Sequence, residues 1–263
     1  MNALPPTPAI GLLQAPASWQ TVDLISDLHL QSSEMATFEA WSQFMATTPA
    51  QAVLILGDLF EVWVGDDAAF QNEFLQHCQA VLKTTAEHRF VAFMRGNRDF
   101  LVGSKFLNSC QVHDLQDPTL LHFGQETWLL SHGDEGCLDD VDYQTFRRTV
   151  RTLEWQHNFL SKPLPEREAL ARHMRSQSEA HKKDPQAIYA DVDEAWATRL
   201  LEINHSHRMV HGHTHQPADH LMGPSKQYVR HVLSDWDASN HPRAEVLRWH
   251  STGQVERVNL ITL

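Results

Sequence analysis

Cysteine is scarce in this chain. Cys78, Cys110 and Cys137 are the whole complement in 263 residues, too few and too scattered for a disulfide framework or a thiolate metal site. They read as packed free thiols in a reducing compartment. No run approaches the roughly 18 to 20 unbroken apolar residues of a membrane span, so no segment is expected to cross a bilayer. The first twenty residues contain no Lys or Arg and lack the basic start of a secretory signal. Three prolines among the first eight residues predict a loose arm over 1–20, and a cytoplasmic location is expected. Basic residues are also short, 21 against 33 acidic ones for a formal charge of -12. That balance opposes nonspecific attraction to nucleic acid, and no nucleic-acid partner is expected.

What remains is ordinary globular material, 42% hydrophobic and 21% charged, enough for one large domain with an inserted subdomain. The shortage of cations is uneven: residues 142–183 carry nine basic residues against five acidic ones, a positive island in an acidic chain. Five apolar runs end abruptly in polar residues. "TVDLISDLHL" reaches Asp27 and His29, "AVLILGD" Asp58, "FVAFMRGN" Asn97, "TWLLSHGD" His132, and "RMVHGHTH" His213 and His215. Between the early runs, apolar residues at helical spacing predict helices over about 35–46 and 70–87. This alternation reads as an α/β sheet, whose ligands gather at the carboxyl ends of the strands. Residues 139–202 break the rhythm with three helical patterns and no strand, which predicts a helical cap inserted between core segments 21–138 and 203–263. After His215, "YVRHVLSDW", "AEVLRWHS" and "VERVNLITL" predict a second layer of antiparallel strands.

The strand ends supply carboxylate oxygen, imidazole nitrogen and amide oxygen, the donors that a hard or borderline divalent cation takes. Any one of the 18 histidines is more often a surface or packed residue than a ligand. His29, His132, His213 and His215 stand apart because each follows an apolar run, and "GHTH" puts two imidazoles on one side of an extended segment. Glycine beside the polar residue at four of the ends (Gly57, Gly96, Gly133, Gly212) permits close backbone approach to a small bound group. Taken together these positions predict a site for two divalent cations.

The ordered blocks "SDLHL", "GDLFEVWVGDD", "GNRDF", "SHGD" and "HGHTHQP" resemble the calcineurin-like metallophosphoesterases. That resemblance implies an α/β sandwich of two mixed sheets flanked by helices, with the helical cap inserted. "GNRD" with "GDLFE", and the cap blocks "LDDVDYQTFRRTVR", "EWQHNFLSKPLPEREALARHMR" and "IYADV", resemble in particular the UDP-2,3-diacylglucosamine diphosphatases of lipid A biosynthesis. Carried over, the resemblance implies that Asp27, His29, Asp58 and His215 hold one cation and Asp58, Asn97, His132 and His213 the other, with Asp58 bridging and manganese as the metal. It implies catalytic roles for Asp58, Asn97, Arg98 and His213, and substrate contacts from Asn97, Arg98, Asp140, Tyr143, Ser178, Lys182 and His213. The implied reaction is attack at the α-phosphorus of UDP-2,3-diacylglucosamine, a lipid-linked UDP-sugar, by a protein in peripheral contact with the cytoplasmic face of the inner membrane.

Many relatives in the superfamily carry His directly after the Asn of the third block, where it can protonate a leaving alkoxide. Arg98 cannot do so at physiological pH, because its pKa exceeds about 12. It can stabilise the charge of a leaving phosphate, which needs little protonation; a surface ion pair with Asp99 or Glu61 is the alternative reading. In the cap, Trp155, Phe159, Leu160, Leu164, Leu170 and Met174 are candidates for lining apolar room, and Arg147, Arg148 and Arg151 for meeting phosphate or anionic lipid. Without the resemblance, an amphipathic insertion packed on the domain accounts for the same pattern. "SEAHKKDP" departs from the family's Ser-x-x-x-Asn-x-x-Lys: it keeps Ser178 but has Lys182 and Pro185 at the other two positions, with Lys183 as a substitute after a shift in register. Another phosphodiesterase or nucleotide phosphatase on this scaffold, and a metal-binding interaction scaffold without catalysis, are the competing readings.

Overall fold

The computed structural model describes residues 4–182, 190–239 and 242–261, with the backbone alone for 177–182. In chain order its strands are β1 (Gly11–Gln14), β2 (Thr21–Ile25), β3 (Ala52–Leu56), β4 (Phe90–Met94), β5 (His113–Leu115), β6 (Thr119–Phe123), β7 (Glu126–Leu130), β8 (Arg208–His211), β9 (Ala218–Met222), β10 (Tyr228–Val232), β11 (Glu245–His250) and β12 (Val255–Asn259). The helices are α1 (Met35–Thr47), α2 (Asp66–Ala69), α3 (Glu73–Ala86), α4 (Ser104–Cys110), α5 (Val141–Val150), α6 (Leu153–Leu160), α7 (Leu164–Lys182) and α8 (Glu194–Ile203).

Two six-stranded mixed sheets stack face to face, ordered β12-β11-β2-β3-β4-β5 and β1-β6-β7-β8-β10-β9. Strands β2 to β4 are buried on both faces, and period-2 alternation divides their side chains. Ile25, Val53, Ile55, Val91 and Phe93 face a cluster that includes Trp41, Phe44, Leu82 and Phe106 of α1, α3 and α4. Leu24, Leu54, Ala92 and Met94 face Leu121, Trp128, Leu130 and Val210 of the other sheet. At the centre of that inter-sheet layer Trp128 stacks on Trp249, ring centroids 3.8 Å apart. Each fully buried aliphatic side chain there contributes ~1.5–3 kcal/mol, which holds the two sheets in fixed relation and so fixes the loops between them.

β2, β3 and β4 run parallel, as do β7 and β8, and the loops at their carboxyl ends meet where the two sheets abut. His132 Nδ1, after β7, lies 2.9 Å from the Leu56 carbonyl oxygen of β3, and the His213 amide after β8 donates to Asp27 Oδ2 after β2 at 2.9 Å.

Four sequence expectations change. The arm over 1–20 is not loose throughout: Gly11–Gln14 pairs in parallel with β6 as an edge strand, and Leu4 and Ile10 pack against the cluster around α8. Strands after His215 do not form one antiparallel layer. β10 joins β8 in parallel in the second sheet, while the β11–β12 hairpin adds to the first sheet through β2. The helix expected over 70–87 starts later, as α3 from Glu73, with Asn72 capping it by accepting from the Leu75 amide at 3.1 Å, and a short helix α2 outside the expected range precedes it. Helix α8, assigned to the insertion by its periodicity, buries Trp196, Ala197, Leu200 and Leu201 against Leu129 and Met209 of the second sheet.

Candidate metal centre

The GDLF and GNRD loops are locked together by Asp99. Its buried carboxylate accepts backbone N–H groups from Gly96 at 2.8 Å, Asp58 at 3.3 Å and Phe60 at 3.3 Å. Burial, and then the neighbouring Asp58, push its pKa up to about 7. Asp99 therefore does not pair with Arg98; it shapes the turn. Gly96 has a second constraint, since a Cβ there would stand 2.1 Å from Asp58 Oδ1, so any side chain would expel the carboxylate.

The loops bring all seven expected donors to one place. Asp27, His29 and His215 offer one cluster of ligand atoms and Asp27, Asp58 and His132 another, the atoms of each lying within 4.8 Å of one another. His29 Nε2 and His215 Nε2 are 3.2 Å apart, and His215 Nε2 is 3.4 Å from Asp27 Oδ1. His132 Nε2 stands 3.7 Å from Asp58 Oδ1. Asn97 Oδ1 completes the second group, 2.9 Å from His132 Nε2 and 2.7 Å from His213 Nδ1. Asp58 Oδ1 also accepts the Arg98 amide at 2.7 Å.

The imidazoles are oriented from behind. His132 Nδ1 meets the Leu56 carbonyl oxygen, His29 Nδ1 lies 3.0 Å from Glu61 Oε2, and His215 Nδ1 lies 3.4 Å from Asp235 Oδ2. An oxygen at Nδ1 keeps the proton there and leaves the Nε2 lone pair for a cation. Backbone geometry repeats the theme. Among the described non-glycine residues with positive φ, five of eight are donors: Asp27 (56°), His29 (49°), Asp58 (53°), His213 (67°) and His215 (53°). Non-glycine residues adopt that conformation at a cost of ~1–3 kcal/mol each, and it clusters at functional sites.

These residues fit divalent cations. Asp27 Oδ1 is buried and makes no hydrogen bond among the described residues, a lone pair left over for a metal. Burial opposes ionisation of Asp27, yet the adjoining His215, with His132 and His29 beyond it, holds its carboxyl well below the ordinary range. Burial likewise disfavours the His132 and His215 cations, but Asp58 and Asp27 raise the first to about 9, and Asp235 and Asp27 raise the second to about 10. Burial and then the His132 charge lower His213 to about 3, so that it stays neutral.

A divalent ion must displace the protons on His132 and His215. Raised pKa values mean that those protons are bound below pH 9 to 10, so ion affinity should climb as pH rises from 7 towards that window, by roughly tenfold per unit for each proton displaced. Calorimetric titration with Mn2+ at pH 7 in buffers of different ionisation enthalpy should record about one to two protons released per chain. Binding without proton release would contradict this electrostatic picture.

Residues of the cap are placed as follows. Asp140 caps α5 by accepting the Tyr143 amide at 3.0 Å. The Tyr143 hydroxyl donates to Asp134 Oδ2 at 2.5 Å, and its ring lies 5.8 Å from that of His213. Arg147 was expected to meet phosphate or lipid; it is instead paired with buried Asp134 at 2.9 Å and with Glu135 at 3.3 Å. Arg151 donates to the Gly96 carbonyl oxygen at 2.9 Å and lies over the Phe100 ring. Arg98 Nη1 is 3.6 Å from Glu61 Oε1, and this pair is largely buried, at 16% and 9% side-chain exposure, rather than on the surface. The side chains of Ser178 and Lys182, and the whole of Lys183 and Pro185, lie outside the described residues. Sequence reading missed Asp99, Asp134 and Asp235, and treated Glu61 as incidental; each carboxylate acts through a contact that no local pattern encodes.

The sequence matches the calcineurin-like phosphoesterase family over residues 21–217. It is 41% identical over 234 residues to the UDP-2,3-diacylglucosamine hydrolase of Aromatoleum aromaticum, covering 87% of this chain and 93% of that one. To the protein of the same name in Chromobacterium violaceum it is 41% identical over 223 residues, covering 82% and 90%. The Bordetella pertussis protein, again so named, is 38% identical over 221 residues, covering 82% and 86%. The chain therefore belongs to the calcineurin-like phosphoesterases, within the branch of the UDP-2,3-diacylglucosamine hydrolases.

Proposed function

We propose that the protein hydrolyses the pyrophosphate bond of UDP-2,3-diacylglucosamine at the α-phosphorus, giving UMP and 2,3-diacylglucosamine 1-phosphate for lipid A biosynthesis. The observation that carries this reading is the gathering of the donor side chains of five loops, with the Arg98 guanidinium 3.6 Å from the Glu61 carboxylate that stands behind His29, in a chain 41% identical to a UDP-2,3-diacylglucosamine hydrolase. Asp27, His29, Asp58 and His215 would hold one divalent ion and Asp58, Asn97, His132 and His213 the other, Mn2+ in each position. Such a pair acidifies a water and clamps phosphoryl oxygens during in-line displacement.

The chain's own residues do the rest. Asn97 and neutral His213, whose polar atoms are 2.7 Å apart, hold the attacked phosphate. Arg98 stabilises the negative charge of the departing sugar phosphate and, having no proton to give at neutral pH, favours a leaving group that needs none. Asp140, Tyr143, Ser178 and Lys182 belong to the substrate-binding cap.

A groove of about 370 Å³ with mixed polar and apolar walls runs between the GNRDF loop and α6, lined by Arg95, Phe100, Leu101, Val102, Gly103, Arg151, Gln156 and Leu160. Trp155 stacks on Phe159 next to it at 5.0 Å. Leu153 at 85% and Val141 at 66% are the most exposed apolar side chains among the described residues of the cap, and with Arg148 and Arg172 they would support peripheral contact with an anionic membrane. No described helix is long and apolar enough to cross one.

The test is hydrolysis in 18O-labelled water with Mn2+ and detergent. Label is expected in UMP and absent from the sugar phosphate. Label in the sugar phosphate would move the attack to the other phosphorus, and absence of UMP would overturn the reaction.

A further inference from the structure

The GDLFEVWVGDD block runs on past Asp58 and Glu61, and its tail WVGDD takes no part in the reaction assigned above. Two adjacent carboxylates there turn to different partners. Asp66, which opens α2, accepts the amides of Gly103 at 2.8 Å and Phe106 at 3.0 Å at the head of α4, and the Trp63 indole N–H at 3.2 Å. Asp67 meets Arg167 of α7 through both oxygens, Oδ1 at 2.8 Å from Nη1 and Oδ2 bonded to Nη2. One short turn thus fastens α4 on one side and α7 on the other.

Arg167 is seated in that turn and does not lie on the surface. Its side chain is 3% exposed, although Asp67 is 56% exposed. Besides the fork to Asp67, Nη1 donates to the Val64 carbonyl oxygen at 2.5 Å and Nε to the Lys162 carbonyl oxygen at 3.0 Å. A guanidinium tolerates burial when its donors are satisfied in this way. Gly65 makes room for it: φ there is 130°, and a Cβ would stand 2.3 Å from Arg167 Nη1. Any side chain at that glycine would push the arginine from its seat.

Arg175, about two turns further along α7, lies 3.1 Å from Glu61 Oε1, and Glu61 Oε2 supports His29. The helix therefore meets the GDLFEVWVGDD segment at two places, and two contacts fix the direction of an axis where one leaves a pivot. Ser178 and Lys182, proposed above as substrate contacts, belong to the same helix. A tilt of roughly 10° about Arg175 carries the end of α7, about 10 Å beyond it, through about 2 Å, more than a hydrogen-bonded contact tolerates.

We propose that Arg167 is a positioning residue: seated in the WVGDD turn, it sets the direction of α7 and thereby the affinity for the lipid-linked UDP-sugar, leaving the phosphoryl chemistry to the loops. The substrate in this statement rests on the reaction assigned above; the aiming of the helix does not.

Arg167→Met and Asp67→Asn make the test. Each should retain two Mn2+ per chain and a kcat within about threefold of the unaltered protein, while KM for UDP-2,3-diacylglucosamine rises about 30-fold in the first and about tenfold in the second, as when binding is lost equally from ground and transition states. Arg167→Lys, which lacks the fork for Asp67, should recover only part of the affinity. Hydrogen exchange followed by mass spectrometry on the Mn2+-loaded variants should quicken about tenfold or more in α7 and stay unchanged in α5 and α8. A merely structural arginine would instead loosen the whole molecule and lower kcat at constant KM. Unchanged KM, or unchanged exchange in α7, in both variants would overturn the proposal, and should Arg167→Met fail to fold, Asp67→Asn alone decides. If the unaltered protein, loaded with two ions, leaves the UDP-sugar intact, the assigned reaction falls and the exchange of α7 still settles whether Arg167 aims it; normal KM in variants of an active enzyme sinks this inference alone.

Discussion

Asp58→Ala is expected to lower turnover by roughly 10⁴-fold, equivalent to ~5.5 kcal/mol of transition-state stabilisation. The size follows from position. Asp58 Oδ1 lies 3.7 Å from His132 Nε2 and accepts the Arg98 amide at 2.7 Å, and it shares a cluster with Asp27, the residue common to both donor clusters, so under the proposed bridging role it would stand between the two ions. Its loss would separate the cations, and with them the several kcal/mol that a paired site gives to phosphoryl displacement. Misfolding is a poor explanation for such a loss. Burial comes first among the causes that raise the Asp99 pKa, and repulsion from Asp58 second, so the substitution relieves a conflict among buried carboxylates. The metal-free variant should melt within a few degrees of the metal-free wild type, while the stabilisation that Mn2+ gives the wild type should shrink. Elemental analysis and thermal melts with and without Mn2+ make the check; two tightly bound ions with full activity would refute the bridging role.

Arg98→Ala should behave in the opposite way with respect to metal, retaining two ions while kcat falls on the order of 10² to 10³-fold, the usual cost of removing one donor aimed at developing charge. The contrast has a structural cause. The bond from Arg98 to Asp58 comes from the main-chain amide and survives truncation of the side chain, whereas the guanidinium reaches away to Glu61. Arg98→Lys should recover only part of the loss, because an ammonium offers a point charge in place of a planar fork. Measurement of kcat beside metal content decides the matter: loss of both ions from Arg98→Ala would contradict the division of labour.

The donors were legible in the sequence because each stands at the end of an apolar run, a position that strand periodicity marks and that parallel strand ends bring together. Asn97 and His132 could be found from that rule although they share no local motif. The carboxylates behind them could not. Asp235 lies after β10 and reaches His215, Asp134 follows His132 and receives Tyr143 and Arg147 from α5, and neither contact leaves a trace in spacing. Sheet membership was illegible for a related reason. The pairing of β11 with β2, Trp249 opposite Val22, joins opposite ends of the chain, and alternation reports only that a segment is a strand, never its neighbour. Positive φ at Asp27 and His29 escapes sequence reading too, since nothing but the tertiary framework forces aspartate and histidine there.

That left-handed main chain bears on how the enzyme exchanges its ions. Five of the proposed donors are aimed by torsion angles set within the polypeptide, so a cage built from them would take its dimensions from the folded framework and not from whichever cation enters. Replacement of one divalent ion by another of similar radius then requires no rebuilding of the loops, while an ion of very different size meets walls that do not yield.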